Sequence, residues 1–353
     1  MNHEISILRE EIDKIDDDIL ALLEKRMECA QNIGRIKALQ NSTIYVPERE
    51  KSILLRLQQK NTRFLSPQAI QTIYQEIFAV SRSLESLEKV AFLGSIGDFA
   101  HQALEKRFKV TNNCLAMNNI ESVFEALKSQ RVKYGLIPLE SQDGITGESI
   151  KLLLQNNFKI IAEIFLPTHY CLMGDMDNLQ EIKKIYSKDN AFKQCKKFLQ
   201  SHHLDLVQKV SVDTFSKAGY LVSGEKNTVA ICPKITAKYC NIPVILEDIE
   251  DSCNEERFII VSDFSNQSTS NDKTSVFVVC ENQDKTENLL KLLSDFSKYQ
   301  INITSIALKR IDMDFKTGFY IDFDGHYDDF NVQKLFKESQ MQIKWLGSYI
   351  KEK

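Results

Sequence analysis

Between Ile5 and Ile36 the apolar residues return at alternating intervals of three and four: Ile5, Leu8, Ile12, Ile15, Ile19, Leu22, then Cys29, Ile33 and Ile36. That rhythm predicts one continuous helix carrying a single apolar seam. At 1.5 Å per residue it would run for roughly 50 Å, longer than a small domain is wide. Such a seam needs partners along its length, so a helical hairpin or an intertwined dimer is implied.

Two further helices follow. Pro47 in "VPERE" suits a first helical turn, and "SPQA" at Ser66 to Ala69 reads as an N-cap serine followed by an N1 proline. Ile70, Ile73, Tyr74, Ile77 and Phe78 form the expected inner face of the third helix. An all-helical domain over residues 1–88 is therefore expected.

From Lys89 the rhythm changes to short β-rich runs such as "VAFLG", "YGLIPLE", "KIIAEIF", "TVAIC" and "FIIVSDF", with helical stretches between them. This alternation predicts a two-lobed α/β domain over 89–263. A Ser- and Asn-rich linker, "SDFSNQSTSNDK", precedes a last domain over 274–353. Its order βαββαβ is ferredoxin-like.

With 353 residues the chain is long enough for two or three domains. A net charge of -4, with both signs plentiful, argues against binding nucleic acid or an anionic membrane. The eight cysteines are scattered singly with no C-x-x-C pair, and no stretch is long and apolar enough to span a bilayer. A reduced, soluble, cytoplasmic protein is expected. No phosphate-binding glycine loop is present, and the adjacent His202 and His203 have no Cys or Asp at ligand spacing, so neither a cofactor nor a metal is expected.

Charges break the helical seam. Its next heptad position after Leu22 is Arg26, and Lys37 lies about 20° around the helix from it. On the third helix the stripe Ile70, Tyr74, Ile77 runs on into Ser81, Leu84 and Glu85. Polar groups are costly to bury unless paired, so two helices broken in this way suggest a shared polar cavity, with Arg49 and Glu50 from the middle helix completing it. Several cations with a serine and one or two carboxyls, but no nucleophile, suit a small polyanion that reacts by confinement and charge stabilisation. A unimolecular rearrangement has that requirement.

The stretches "LREEID", "LLEKRMECAQNIGRIKA", "PEREKSI" and "AVSRSLE" resemble the all-helical chorismate mutases, which convert chorismate to prephenate by a Claisen rearrangement in a dimer. The resemblance implies that Arg9 is the cation lent across the dimer, and that Arg26 and Arg49 clamp the two substrate carboxylates. It implies too that Lys37 donates to the ether oxygen, Glu50 accepts from the substrate hydroxyl and Ser81 positions the substrate. Val46 and Glu85 depart from the commonest pattern, which has an acidic residue and a glutamine there.

The segments "KVAFLGSIGDFAHQAL", "YGLIPLESQDG", "LPTHYCLM", "IYSKDNAFKQCKKFL" and "IEDSCNEERFIIV" resemble the prephenate dehydratase domain of the bifunctional P-proteins, with an ACT-like module after it. In the family's interlobe pocket Glu140, Ser187, Gln194, Thr214 and Arg257 match. Glu256 stands where the family has the threonine considered catalytic, and Ser141 where it has asparagine. Asp98, Ala100 and Phe215 stand where threonine, serine and alanine are usual. A carboxylate about 5 Å from one charge of the prephenate dianion would cost roughly 3 kcal/mol at an effective dielectric of 20. Glu256 and Asp98 would impose that twice, and Phe215 would take pocket volume.

The expected function is therefore a homodimeric chorismate mutase of phenylalanine biosynthesis, on a scaffold whose dehydratase half is weakened or lost. Two alternatives stay open. One is a fully working bifunctional enzyme that makes phenylpyruvate, with a protonated Glu256 as replacement acid. The other is a middle domain that binds a different small ligand and controls the mutase. In the terminal module Glu287-Asn288-Leu289 and Ala307-Leu308-Lys309-Arg310 replace the phenylalanine-binding stretches of relatives. Phenylalanine as an effector is thereby put in doubt, with a purely structural dimerisation role given equal weight.

A carboxyl facing the ether oxygen donates a hydrogen bond only when protonated. The mutase is accordingly expected to work faster at mildly acid pH, and Glu85→Gln to flatten that dependence; a wild-type pH-rate profile that is already flat would count against the role of Glu85.

Overall fold

A computed structural model describes residues 2–39, 47–60, 62–85, 89–108, 114–142, 144–176, 178–280, 285–311 and 316–352. The chain divides into two compact units, Met1–Glu88 and Lys89–Lys353.

The first unit holds helices α1 (Asn2–Leu39), α2 (Pro47–Gln58) and α3 (Pro67–Glu85). Pro47 opens α2 and Pro67 opens α3, as their fixed φ and missing N–H favour. Ser66 Oγ accepts from Ala69 N at 3.1 Å, the expected N-cap bond. Ile70 and Phe78 are buried, but Ile73 lies on the flank of the stripe and is 47% exposed. In the single chain the seam residues Ile5, Leu8, Ile12, Ile15, Ile19 and Leu22 are exposed. The α1 seam is thus an apolar face without a partner in its own unit.

The second unit is built from three sheets. Its first lobe contains β1 (Val90–Leu93), α4 (Phe99–Phe108), β2 (Cys114–Met117), α5 (Ile120–Lys128), β3 (Tyr134–Ser141), β4 (Gly144–Ile145), α6 (Gly147–Gln155) and β5 (Lys159–Thr168). The chain then enters a second lobe through β6 (Tyr170–Met173), β7 (Lys184–Ser187), α7 (Asp189–Gln194), α8 (Lys196–Ser201) and β8 (Gln208–Ser211). That lobe ends with α9 (Phe215–Gly224), β9 (Thr228–Pro233), α10 (Lys234–Cys240) and β10 (Val244–Leu246). Strand β11 (Asn254–Ser262) returns to the first lobe.

The first sheet runs β2-β1-β3-β11-β5, with β4 beside β3, and the second runs β10-β6-β9-β7-β8. Only two connections cross between the lobes: His169, between β5 and β6, and residues 247–253, between β10 and β11. They are clasped together. His169 Nδ1 lies 2.7 Å from Glu250 Oε1, Tyr170 N donates to Glu250 Oε2 at 2.9 Å, and Ile249 N donates to Tyr170 O at 3.0 Å.

The last part comprises β12 (Asp272–Cys280), α11 (Lys285–Lys298), β13 (Ile303–Ile311), β14 (Lys316–Asp324), α12 (Phe330–Glu338) and β15 (Gln342–Ile350). The antiparallel sheet order β13-β14-β12-β15 is the ferredoxin-like arrangement expected from the element order. This module is packed closely against the first lobe rather than strung from a linker. Phe277, Tyr320, Leu346 and Tyr349 share one buried cluster with Ile137, Ile160 and Ile259.

At Gly347 the backbones of β15 and β5 nearly touch, for a Cβ added there would lie 2.2 Å from Ile160 O and 2.6 Å from Ile160 N. Neither backbone atom can step aside as a side chain would. Gly347→Ala is therefore expected to cost at least the 1–3 kcal/mol typical of overpacking, roughly, read as a lowered denaturant midpoint of the second unit.

Among the described residues no helix is long and apolar enough to cross a membrane. All eight cysteines stand free of disulfides.

Candidate active sites of the two units

In the helical unit the two pattern breaks meet. Arg26 Nη1 of α1 donates to Ser81 Oγ of α3, and the guanidinium carbon stands 5.5 Å from the centre of the Phe78 ring. Ser81 is buried, and its hydroxyl reaches Ile77 O at 2.8 Å and Met27 Sδ at 3.6 Å. Arg26 itself is half-buried, so a guanidinium occupies a core slot because a hydroxyl and an aromatic face answer it. Arg49 is exposed and Glu50 half-buried in the first turn of α2. Arg9 is exposed on α1. The side chains of Lys37 and Glu85, and residue Val46, lie outside the described residues.

In the second unit Asp98 follows β1 and crosses to the other lobe. Its Oδ1 accepts from Phe215 N at the start of α9 at 3.1 Å, and its Oδ2 accepts from Ser95 N at 3.3 Å. Lys188 Nζ lies 3.3 Å from the same Oδ2. The carboxylate thus meets one cation and two backbone N–H groups, so Asp98 is not an unanswered charge within the protein. Two more bonds hold this loop to the second lobe: Thr236 Oγ1 donates to Gly97 O at 2.8 Å, and Ser216 Oγ donates to Ile96 O at 2.7 Å.

Phe215 is buried in an edge-to-face cluster with Phe99 at 5.8 Å and Tyr170 at 6.0 Å. Lys188 Nζ stands 4.7 Å from the Phe215 ring centre. Glu256, on β11 opposite Leu166 of β5, lies within electrostatic reach of Lys188 and Tyr170. Burial pushes its carboxyl above the usual range, and the Lys188 ammonium opposes that shift. Burial likewise raises the Tyr170 hydroxyl, with the Glu256 charge adding to the effect. Lys188 is the residue that sequence reasoning missed. Its only signal was its position directly after Ser187.

The other expected pocket residues divide. Thr214 caps α9, its hydroxyl accepting from Lys217 N at 3.2 Å. Gln194 ends α7, and its Oε1 is buried with no hydrogen-bond donor among the described residues. Ser187 is committed elsewhere: fully buried, it donates to Ile231 O at 2.5 Å and ties β7 to β9.

Arg257 is the larger correction. Successive strand residues point to opposite faces, so Arg257 turns away from Glu256. It meets Asp322 Oδ2 of β14 at 2.5 Å, Glu163 Oε2 of β5 at 2.8 Å and the Tyr349 hydroxyl of β15 at 2.8 Å. Lys273 Nζ of β12 donates to both Glu163 oxygens, at 2.8 and 3.0 Å. Glu140, on β3, remains 3.8 Å from Arg257 with its side chain 41% exposed. Arg257 therefore belongs to the junction with the terminal module, with Glu140 beside it on β3. In that module Glu287 to Leu289 lie in the first turns of α11, and Ala307 to Arg310 lie in β13.

His169, Asp248 and Glu250 bring ligand-type atoms within 4.8 Å of one another at the lobe crossover. The bonds that Glu250 makes to His169 and to Tyr170 N account for this cluster as a clasp.

Comparison with known proteins extends these observations. Residues 8–86 match the family model for chorismate mutase type II, and residues 90–266 match that for prephenate dehydratase. The bifunctional chorismate mutase/prephenate dehydratase of Aquifex aeolicus is 33% identical over 99% of this chain and 98% of its own. Its Pseudomonas aeruginosa counterpart is 30% identical over the same shares. Among solved structures, the prephenate dehydratase from Arthrobacter aurescens, in complex with L-Phe, superposes with a TM-score of 0.64 at 25% identity, covering 74% of this chain and 90% of its own.

Glu163 is the shared carboxylate of two buried cations. Glu163→Gln would leave Arg257 with Asp322 as its close buried anion and take from Lys273 the carboxylate that it pairs with, and removing one side of such a pair typically costs about 3–5 kcal/mol. A drop of that size in the unfolding free energy of the second unit, with the helical content of α1–α3 kept, is expected in denaturant titration followed by circular dichroism.

Proposed function

We propose, on the premise that this chain belongs to the bifunctional chorismate mutase/prephenate dehydratase family, that it rearranges chorismate to prephenate in a helical dimer and dehydrates prephenate more slowly in its second unit. The mutase half of the reading is carried by the convergence of Arg26 and Ser81 between α1 and α3. Arg26 and Arg49 hold the substrate carboxylates, Arg9 is lent across the dimer, and Lys37 donates to the breaking ether oxygen. Glu50, Ser81 and Glu85 fix the remaining oxygens. No covalent intermediate is needed, because a pericyclic step asks only for a compact conformer and cations where negative charge gathers. The uncovered seam from Ile5 to Leu22 supports the dimer, since a second copy of α1 would bury it.

Weakening of the dehydratase half rests on Glu256 in place of a threonine and on the packed ring of Phe215. A fully working bifunctional enzyme is the second reading. The Asp98–Lys188 ion pair favours it, because one of the two expected repulsions is answered within the protein. The Glu287-Asn288-Leu289 and Ala307-Leu308-Lys309-Arg310 stretches speak against feedback binding of phenylalanine. The setting is cytoplasmic, and no nucleic acid, membrane or cofactor enters the reading.

Product analysis at neutral pH without an acid quench tests it. Purified protein given chorismate should accumulate prephenate, with phenylpyruvate lagging well behind. Arg26→Ala should lower mutase kcat/KM by about a hundredfold or more while keeping the helical content. Phenylpyruvate formed in step with prephenate would favour the second reading, and mutase activity indifferent to Arg26→Ala would overturn the first.

A further inference from the structure

The position that argues most strongly against a working dehydratase also offers it a proton. Loss of hydroxide from carbon is slow unless the departing oxygen is protonated, and the usual donor in such steps is a carboxylic acid or imidazolium tuned by its surroundings. Among the described residues Glu256 is the carboxyl of the interlobe group with no ion-pair partner, whereas Asp98 is bound to Lys188, Ser95 N and Phe215 N.

Its place on β11 is specific. Strand β3 pairs with β11 only from Arg257 onward, so at Glu256 the sole neighbouring strand is β5. The side chain leaves the strand opposite to Arg257. On that side are the two groups coupled to it electrostatically, Lys188 before α7 and Tyr170 at the start of β6. Its neighbours on β5, Phe165 and Leu166, do not titrate.

We propose that Glu256 is the general acid of prephenate dehydration in this chain, working beside a Lys188 that neutralises Asp98. The proposal rests on reading the second unit as a prephenate dehydratase. In the step, the Glu256 O–H bond breaks and its proton goes to the leaving ring hydroxyl. The carbon–oxygen bond then breaks and water departs. The bond between the ring and its carboxylate breaks at the same time, carbon dioxide leaves, and that electron pair completes the aromatic ring. Glu256, left as carboxylate, regains a proton from solvent, so the cycle needs no other reactant.

Charge balance supports the same assignment. Asp98 and Lys188 cancel, so a protonated Glu256 leaves the group neutral and able to admit a dianion. An ionised Glu256 would oppose it. Binding the anionic substrate further favours the protonated carboxyl, by the like-charge rule that raises a carboxyl's pKa.

The test is the prephenate dehydratase rate of the full-length protein from pH 5 to 9. Non-enzymatic dehydration is subtracted at each pH, and mutase activity is followed in parallel as a measure of folding. The wild-type rate should fall with rising pH. Glu256→Gln, which keeps shape but cannot release a proton, should lower it by about a hundredfold or more at the acid end and leave a pH-independent rate toward which the wild type falls as the pH rises. Lys188→Gln should move the falling limb to higher pH, because it removes the cation that favours the ionised carboxyl and leaves Asp98 unanswered.

A Glu256→Gln variant as fast as wild type or faster at the acid end would overturn the inference while leaving the dehydratase reading intact, since the carboxyl would then be only an obstacle. A flat wild-type profile would overturn it in the same way, without recourse to any variant. No phenylpyruvate above the blank at any pH would overturn the inference together with the reading it rests on.

Discussion

Arg257 is the hinge pin of the second unit. A guanidinium buried to this degree is stable only where its charge is answered, and here Glu163, Asp322 and Tyr349 answer from three different strands. Lys273 brings a second cation, so two carboxylates meet two cations in a balanced interior group. The hydroxyls of Ser275, Tyr320 and Tyr349 take up Asp322 Oδ1 and one another at 2.5–3.0 Å. Because these partners come from β5, β12, β14 and β15, the network joins the first lobe to the terminal module. It also fixes which way β11 faces, and hence that Glu256 points to the lobe interface.

The same strand therefore has two duties on its two faces. Toward the module it carries a structural charge that the fold neutralises completely. Toward the interface it carries a carboxyl that burial favours in its neutral form. A charged residue next to a buried arginine would ordinarily be drawn into pairing with it, but the alternation of the pleat keeps the two apart. Any shift of one residue in the register of β11 would exchange them, and both sites would fail together. The bulge between Arg257 and Phe258 against β3 lies just past this boundary.

Much of this arrangement was legible in the chain. The three helices, the serine cap and proline start of α3, the change of rhythm at Lys89 and the βαββαβ order all follow from local periodicity and capping chemistry, which depend on neighbours within a turn or two. So did the meeting of Arg26 with Ser81, because each broke an apolar stripe and a buried polar group needs a partner. What could not be read is which side chains face each other across long sequence gaps. Arg257 was expected in the pocket beside Glu256, yet adjacent strand residues diverge. Ser187 was expected in the interlobe pocket by resemblance, but its hydroxyl is consumed by a carbonyl 44 positions away. Lys188 carried no motif of its own; its meaning comes from Asp98, 90 positions earlier in the chain.

The Asp98–Lys188 pair also changes how drift at an active site is to be judged. Counted singly, Asp98 and Glu256 are two added negative charges in a site for a dianion, and the sum points to loss of function. Taken in space, one charge is cancelled by a lysine on another element, and the other is held toward neutrality by burial. The two units also tolerate such change differently. A rearrangement stabilised by several cations loses rate by degrees as each contact weakens, because no single group carries a proton through the reaction. A dehydration requires one donor in one place, so a replaced threonine ends the chemistry unless a neighbour or the newcomer itself can protonate the leaving group. The substitution at 256 is compatible with that requirement in a way that an alanine or a lysine would not be. On the proposed role of Glu256, it exchanges one oxygen donor for another and makes the reaction answer to pH.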